Sequence, residues 1–376
     1  MKSQDFRTDN MSQIVARVHP DYRPVWESVP PCNQAALANF FLPRSSGTDF
    51  LCPTRPKVVK WYCPFAAQRQ FGSGHRYCIN VFVGCAHGCH YCYAVGYGPD
   101  RPVCKQDFRK LIERDMADLE RFDVPPAPVH LSNSTDPFQP LEVVTGHTRY
   151  ALEQILTHRH RFTTVTILTK NPLLPVQYKY LDLFSALAVL PNGHPRKRFY
   201  SETKLPAFQV EVSLAFWREE AGRAYDPMAP SVQERKDAIL ALRKADIPVV
   251  LRIDPLFPRS PMPNGTTLAH FGLPEAQTLE DLQSLVAFAA QCGVRHVVYS
   301  PVKIVQPRRR RLGATMAALR SVYQSMSAPI KPVWHGGSWR LPPEIANQHI
   351  IQPFLDICQK TGVKAKFCMT NLVETP

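Results

Sequence analysis

From residue 79 onward the chain repeats one pattern: a short apolar or β-branched run, a polar or glycine-rich turn, then a stretch with helical spacing. The runs are INVFVG (79–84), VHLS (129–132), TVTILT (164–169), FQVEVSL (208–214), IPVVLRI (247–253) and VRHVVYS (294–300). Each has the length and β-branched content of a strand. Between the first two, residues 105–122 place Phe108, Leu111, Ile112, Met116, Leu119 and Phe122 at helical spacing. Ser231 and Glu234 make a capping-box pattern ahead of DAILALRKA. Thr278 opens a helix with Leu282, Leu285, Val286 and Ala289 on one face and Gly293 as its C-cap. Six strand–helix alternations predict an α/β fold with a parallel sheet and helical crossovers. Six units are too few for a closed eightfold barrel and fit an open, partial (β/α)6 barrel, with its chemistry at the C-terminal ends of the strands.

Residues 1–75 show little periodicity and are rich in proline, which predicts an irregular N-terminal extension before a core over 76–305 and a basic C-terminal extension over 306–376. Proline totals 36 of 376 residues, about twice the roughly 5% average, so long loops are expected. A hydrophobic content of 44% supports a substantial core and excludes a disordered chain. The formal charge of +14 is unevenly placed. No Asp or Glu occurs between Phe50 and Pro99, where Arg55, Lys57, Lys60, Arg69 and Arg76 lie. None occurs between Pro301 and Pro343 either, against Lys303, Arg308 to Arg311, Arg320, Lys331 and Arg340. Such tracts are solvated faces or contacts for an anionic partner such as nucleic acid. The opening MKSQDFRTDN has no apolar signal core, and no run approaches the roughly 18 apolar residues of a membrane span. A cytoplasmic protein without membrane attachment is expected, so the eleven cysteines are read as thiols or metal ligands and not as a disulfide framework.

The stretch GCAHGCHYCYA (84–94) carries Cys85, Cys89 and Cys92 at C-x3-C-x2-C spacing, directly after the first run. Structural zinc prefers four ligands, commonly in paired C-x2-C knuckles, so zinc would need His87, His90 or a distant fourth ligand. A cubane iron–sulfur cluster accepts three thiolates from a compact loop and keeps one iron open for a ligand that reacts there. Three cysteines within eight residues are hard to ascribe to chance in a chain of this kind.

This motif, with an aromatic residue directly before its third cysteine, resembles the cluster motif of the radical S-adenosylmethionine superfamily. CHYCYA, STDPFQPLE (134–142), ILTKN (167–171), VEVSL (210–214) and AILALRKADIPVVLRIDPLFP (238–258) follow in order. Together, over about residues 76–305, they are similar to the spore photoproduct lyase-like branch, often called DNA repair photolyases. The resemblance implies the partial barrel of the radical S-adenosylmethionine type and a 4Fe-4S cluster on Cys85, Cys89 and Cys92. It also implies S-adenosyl-L-methionine as cofactor, cleaved to methionine and a 5′-deoxyadenosyl radical that abstracts a substrate hydrogen. Thr135 matches a hydroxyl that contacts S-adenosylmethionine, Lys170 a lysine that pairs with its carboxylate, and Ser213 a further polar contact. Tyr93 matches a tyrosine that takes part in hydrogen-atom return, which makes it a catalytic candidate, while Tyr91 flanks Cys92 on its other side. His87 and His90 tune or shield the cluster. Arg252 and Asp254 are charged residues near the end of the fifth run and suit a structural ion pair. One position departs from the branch: Asn133 stands where a hydrogen-donating cysteine is expected, which puts repair of the spore thymine dimer in doubt.

The expectation is a radical S-adenosylmethionine enzyme acting on a nucleic acid or nucleotide, reduced by a partner such as flavodoxin or ferredoxin. Two alternatives stand beside it. One keeps the radical chemistry and moves it to a small metabolite or peptide. The other is a zinc-stabilised nucleic-acid-binding protein without catalysis, which would have no need of six strand ends bearing polar groups.

Overall fold

The computed structural model describes residues 11–43, 50–61, 77–96, 98–99, 101–194, 206–294, 296–307, 311–335 and 337–368. Its main sheet has eight strands: β1 (Val59–Lys60), β2 (Tyr77–Ile79), β3 (Ala127–Leu131), β4 (Phe162–Thr169), β5 (Phe208–Ser213), β6 (Val249–Leu256), β7 (Val297–Pro301) and β8 (Ala365–Phe367). The strands lie side by side in chain order. β1 pairs antiparallel with β2, and every later neighbour is parallel. Helices connect the parallel strands: α1 (Phe108–Arg121), α2 (His147–Thr157), α3 (Leu181–Ala188), α4 (Glu219–Tyr225), α5 (Val232–Lys244), α6 (Leu279–Gln291), α7 (Ala314–Ser327) and α8 (Gln352–Thr361). Both expected caps form, Ser231 with Glu234 before α5 and Thr278 with Asp281 before α6.

Two features depart from the periodicity. The run 79–84 is not one strand: β2 ends at Ile79, and Phe82–Val83 pairs antiparallel with Val103–Cys104 in a separate ribbon. The chain leaves the sheet at Asn80, whose Oδ1 accepts the Ser134 amide at 3.1 Å and whose carbonyl accepts Lys105 Nζ. The sheet also draws β1 and β8 from the flanking extensions, each too short to show as a periodic run.

Parallel sheets usually bury two apolar faces. Here one face carries Val129, Leu131, Val165, Ile167, Val210, Val212, Val249, Leu251, Ile253 and Val297 in a continuous apolar core. The register places Cys78, His130, Thr166, Gln209, Glu211, Ser213 and Arg252 on the other. All of these but Arg252 are fully buried, and its side chain is 13% exposed. Buried polar groups are costly unless satisfied, and here Gln209 bonds Thr166 while Arg252 pairs with Glu211.

Candidate active site

The cysteine loop leaves the first parallel strand by way of the ribbon, and two later segments grip it. From the turn after β3, Gln139 accepts the Ala86 amide at 2.9 Å and donates to the Gly84 carbonyl at 3.3 Å. From the end of α4, the Tyr225 carbonyl accepts the His90 amide at 2.9 Å, and just beyond it the Met228 amide donates to the His87 carbonyl at 3.3 Å. Gly84 has φ +79° and its α-carbon faces Pro99, Arg101 and Pro102, so a β-carbon would come within 3.0 Å of Pro99. The two histidines brace the loop: His87 Nε2 lies 3.1 Å from Asp136 Oδ2, and His90 Nδ1 lies 2.9 Å from the Ala224 carbonyl.

Three thiols remain. Burial first, then the Asp136 charge, pushes Cys85 up to about 12. Cys89 is raised well above its ordinary value by burial and by Asp226, and each of these two thiols is raised further by its neighbours in the motif. Such a group holds its protons until a cation replaces them. The donor set of three partly buried thiols therefore suits a thiolate-bound metal group, the first test that a 4Fe-4S cluster must pass.

Lys170, directly after β4, points its amine at Tyr91 Oη (2.6 Å), Ser213 Oγ (3.0 Å) and Asp226 Oδ2 (3.2 Å). Asp226 follows α4, its side chain is fully buried, and the same oxygen takes Arg235 Nη1 of α5 at 3.1 Å. Burial opposes ionisation of Asp226, but the Lys170 and Arg235 charges outweigh it and hold the carboxyl at about 2. Lys170 is in turn raised despite burial, chiefly by Asp226. Asp136 ties this cluster to the cysteine loop, accepting the Lys170 amide at 2.6 Å and Thr169 Oγ1 at 2.8 Å besides its His87 contact. Tyr91, Phe216, Phe257 and Tyr225 pack ring against ring behind the loop and keep water from that side.

Thr135 sits in the turn after β3, and its Oγ1 is buried with no hydrogen-bond partner among the described residues. An orphaned buried hydroxyl in the turn whose Asp136 bonds the Lys170 amide is the second sign of fit for a polar cofactor. Tyr93 donates its hydroxyl to the Asn133 carbonyl, and the Asn133 amide donates to Cys78 Sγ at 3.0 Å. Lys170 and Ser213 thus meet directly, while Thr135 and Tyr93 join them through the Asn133–Asp136 turn. Asp226 and Arg235 escaped the sequence reading: Asp226 precedes Pro227 and has the look of a turn residue, and Arg235 that of a solvated helix position.

Deeper on the polar face, Arg252 Nη1 reaches Glu211 Oε2 at 2.6 Å and its Nη2 reaches Asp254 Oδ2 at 2.6 Å. His130 Nε2 lies 3.8 Å from Glu211, and Ser300 donates to Asp254. Burial opposes ionisation of Glu211, and the Arg252 and His130 contacts reverse this and hold its carboxyl well below the ordinary range. Arg308 to Arg310 lie outside the described residues, and Arg311 is exposed. Among the described residues no helix is long and apolar enough to cross a membrane.

Comparison with solved structures aligns the chain with mutant spore photoproduct lyases at a TM-score of 0.51 and 13% identity, covering 82% of this chain and 81% of that one. A further mutant, solved with bound AdoMet and dinucleoside spore photoproduct, aligns equally well at 14% identity over 83% of this chain and 78% of that one. The chain has the fold of spore photoproduct lyase. No family model matches it. Curated relatives include an uncharacterized protein of Methanocaldococcus jannaschii, 24% identical over 191 residues, or 49% of this chain and 62% of that protein. An uncharacterized protein of Mycobacterium tuberculosis is 28% identical over 194 residues, 49% of this chain and 50% of that protein. The chain thus spans between half and two-thirds of the curated relatives it matches.

Proposed function

We propose that the protein is a radical S-adenosylmethionine enzyme of the spore photoproduct lyase-like branch acting on a nucleic acid or nucleotide. One observation carries this reading: three thiols on one loop share the C-terminal ends of parallel strands with Lys170, Ser213 and Thr135, whose hydroxyl has no partner among the described residues. In this reading the sheet curls into a partial barrel with its polar face inward. Cys85, Cys89 and Cys92 hold a 4Fe-4S cluster.

The cluster and S-adenosylmethionine, when bound, supply the reductive chemistry that yields a 5′-deoxyadenosyl radical, with electrons from a partner such as flavodoxin or ferredoxin. The chain's residues supply placement. Lys170 offers a cation to the cofactor carboxylate, and Asp226 with Arg235 fixes where that cation sits. Thr135 and Ser213 offer hydroxyls to the cofactor's amine and ribose. Tyr93, whose hydroxyl donates to the Asn133 carbonyl, is assigned to hydrogen-atom transfer in this reading. Because Asn133 carries no thiol, the hydrogen donor differs from that of the branch, and repair of the spore thymine dimer is not part of the proposal.

The test is anaerobic incubation of the reconstituted protein with S-adenosylmethionine and a strong reductant, following 5′-deoxyadenosine, then repetition with candidate nucleic acids and nucleotides. Slow 5′-deoxyadenosine formation, stimulated by one of these substrates, is expected. Absence of that product in every condition would remove the proposal.

A further inference from the structure

The second acid-free basic tract has no role in the site described above, yet the fold sets part of it beside the cysteine loop. β7 ends at Pro301, and Ile304–Val305 then enters a separate antiparallel sheet, with Ser338–Arg340 in its middle and Val333–His335 at its edge. Ile304 is fully buried and fixes this sheet to the core. Val305 meets the turn Tyr93–Gly96, directly after Cys92: a β-carbon on Gly96 would come within 2.7 Å of Val305 Cγ1. The small sheet therefore grows from the C-terminal end of a parallel strand, the end at which the three thiols lie.

The edge strand is exposed along its length, Trp334 to 49%, while Trp26 and Trp61 are buried. Val333 and Ile330 are exposed beside it. An apolar edge left in water invites pairing and marks a contact surface. Across the ladder Trp334 lies opposite Trp339, with ring centroids 4.9 Å apart at 62°. Arg320 of α7 places its guanidinium 4.8 Å from the Trp339 ring centroid. Lys331 comes two residues before the edge strand, and Arg340 lies opposite Val333 within the sheet. Arg340 Nε donates to Ser338 Oγ at 3.3 Å, and no carboxylate pairs with Arg320, Lys331 or Arg340 among the described residues. The sequence offers none nearby, since no Asp or Glu occurs between Pro301 and Pro343.

Such an edge could take a second polypeptide strand or a polyanion, and three cations without a carboxylate partner select the polyanion. Indole faces interleaved with cations are what unpaired bases and their phosphates bind. In a duplex the base faces are stacked on one another and closed to an indole. We propose that the strands Val333–His335 and Ser338–Arg340, with Lys331, form a stacking platform for single-stranded nucleic acid. A base lies against Trp334, phosphates meet Lys331 and Arg340, and the strand is held beside the cysteine loop. The platform rests on the nucleic-acid reading of the function and narrows it to strands with unpaired bases, whether DNA or RNA.

The experiment uses the full-length, anaerobically reconstituted protein. Binding of labelled single-stranded DNA and RNA oligonucleotides, and of the matching DNA duplex, is measured across a salt series. The proteins compared are wild type, Trp334→Ala, Trp334→Phe and Lys331→Gln/Arg340→Gln. The wild type should bind a single strand more tightly than the duplex, and the tighter of DNA and RNA identifies the sugar. Trp334→Ala should weaken that strand roughly 5- to 150-fold, the worth of one base–aromatic stack, without changing the slope of log K against log salt. Trp334→Phe keeps a ring and should recover most of the loss. The glutamine variant should instead flatten the slope by about 1.4, at about 0.7 for each phosphate contact on a single strand. Equal strand affinity in wild type and Trp334→Ala would overturn the platform, as would duplex binding as tight as the single strand or no strand bound at low salt. A wild-type measurement guards against misfolding of a variant: a strand carrying 5-iodouracil, irradiated in the complex, should crosslink to the peptide that contains Trp334. Crosslinks confined to other peptides would also overturn it. Sedimentation covers the polypeptide alternative: a wild-type dimer that Trp334→Ala dissolves, with no strand bound, would give the edge to a second copy and overturn the platform. Substrate-independent cleavage of S-adenosylmethionine by the wild type is scored separately, so its absence defeats the enzyme reading and leaves the platform to the binding data.

Discussion

Lys170→Met separates a cofactor ligand from a structural cation. In the folded chain the Lys170 amine bonds Tyr91, Ser213 and Asp226, so its removal has a folding cost whether or not it meets a cofactor. Breaking a buried ion pair costs about 3–5 kcal/mol when the partner charge is left alone. Asp226 is not left alone, because Arg235 holds the same oxygen at 3.1 Å, so a smaller loss of about 1–3 kcal/mol is expected. Cofactor binding should suffer independently. A charge-assisted bond to the S-adenosylmethionine carboxylate is worth about 1.5–3 kcal/mol, or roughly 10- to 150-fold in Kd. Thermal unfolding reads the first effect, and calorimetric titration of S-adenosylmethionine into the anaerobically reconstituted protein reads the second. A lowered melting temperature with unchanged cofactor affinity would refute the assignment and leave Lys170 as a partner of Asp226 only.

Other outcomes follow from the same structure. Arg252→Met takes the cation from Glu211 and Asp254 on the polar face and leaves them His130 and Ser300, so it should destabilise the fold by about 1–3 kcal/mol, measured by denaturant unfolding. The folded Glu211 carboxyl is held below its unfolded value, so its contribution is present above the ordinary carboxylate range and is lost as pH falls below it; the wild type should therefore lose more stability on acidification than Arg252→Met, and parallel pH profiles would contradict this. Gly84→Ala meets both a positive φ and a contact at 3.0 Å with Pro99, so it should cost about 1–3 kcal/mol and lower iron occupancy after reconstitution; full occupancy with an unchanged melting temperature would show that the loop tolerates it. Tyr93→Phe should retain S-adenosylmethionine cleavage without substrate and slow substrate turnover, and wild-type turnover would remove Tyr93 from hydrogen transfer.

Much of this site was legible in the sequence because its chemistry is local. The three cysteines stand within eight residues, and Thr135 and Lys170 lie just beyond apolar runs while Ser213 closes one, so strand periodicity alone sends them to one end of a parallel sheet. What stayed hidden depends on contacts across the fold. Asp226 gains its role from Lys170 and Arg235, which come from other segments, while its own surroundings read as an aspartate–proline turn. The run 79–84 carries strand composition throughout, yet side-chain and backbone bonds at Asn80 divide it between two sheets. β8 has three residues, too few to show a period, and joins the sheet through β7. The alternation in FQVEVS was visible, but only the sheet register shows that its polar positions form a buried face with His130 and Arg252.

The central claim is that Cys85, Cys89 and Cys92 carry a redox cluster that meets S-adenosylmethionine. Iron, sulfide and zinc analysis of the anaerobically reconstituted protein, with electron paramagnetic resonance of the reduced state before and after S-adenosylmethionine, tests it most directly. About four irons and four sulfides per chain are expected, with a spectrum that shifts on adding the cofactor and a metal content near zero in the Cys85→Ala/Cys89→Ala/Cys92→Ala variant. Stoichiometric zinc without iron or sulfide, or a full cluster in the triple variant, would contradict the account.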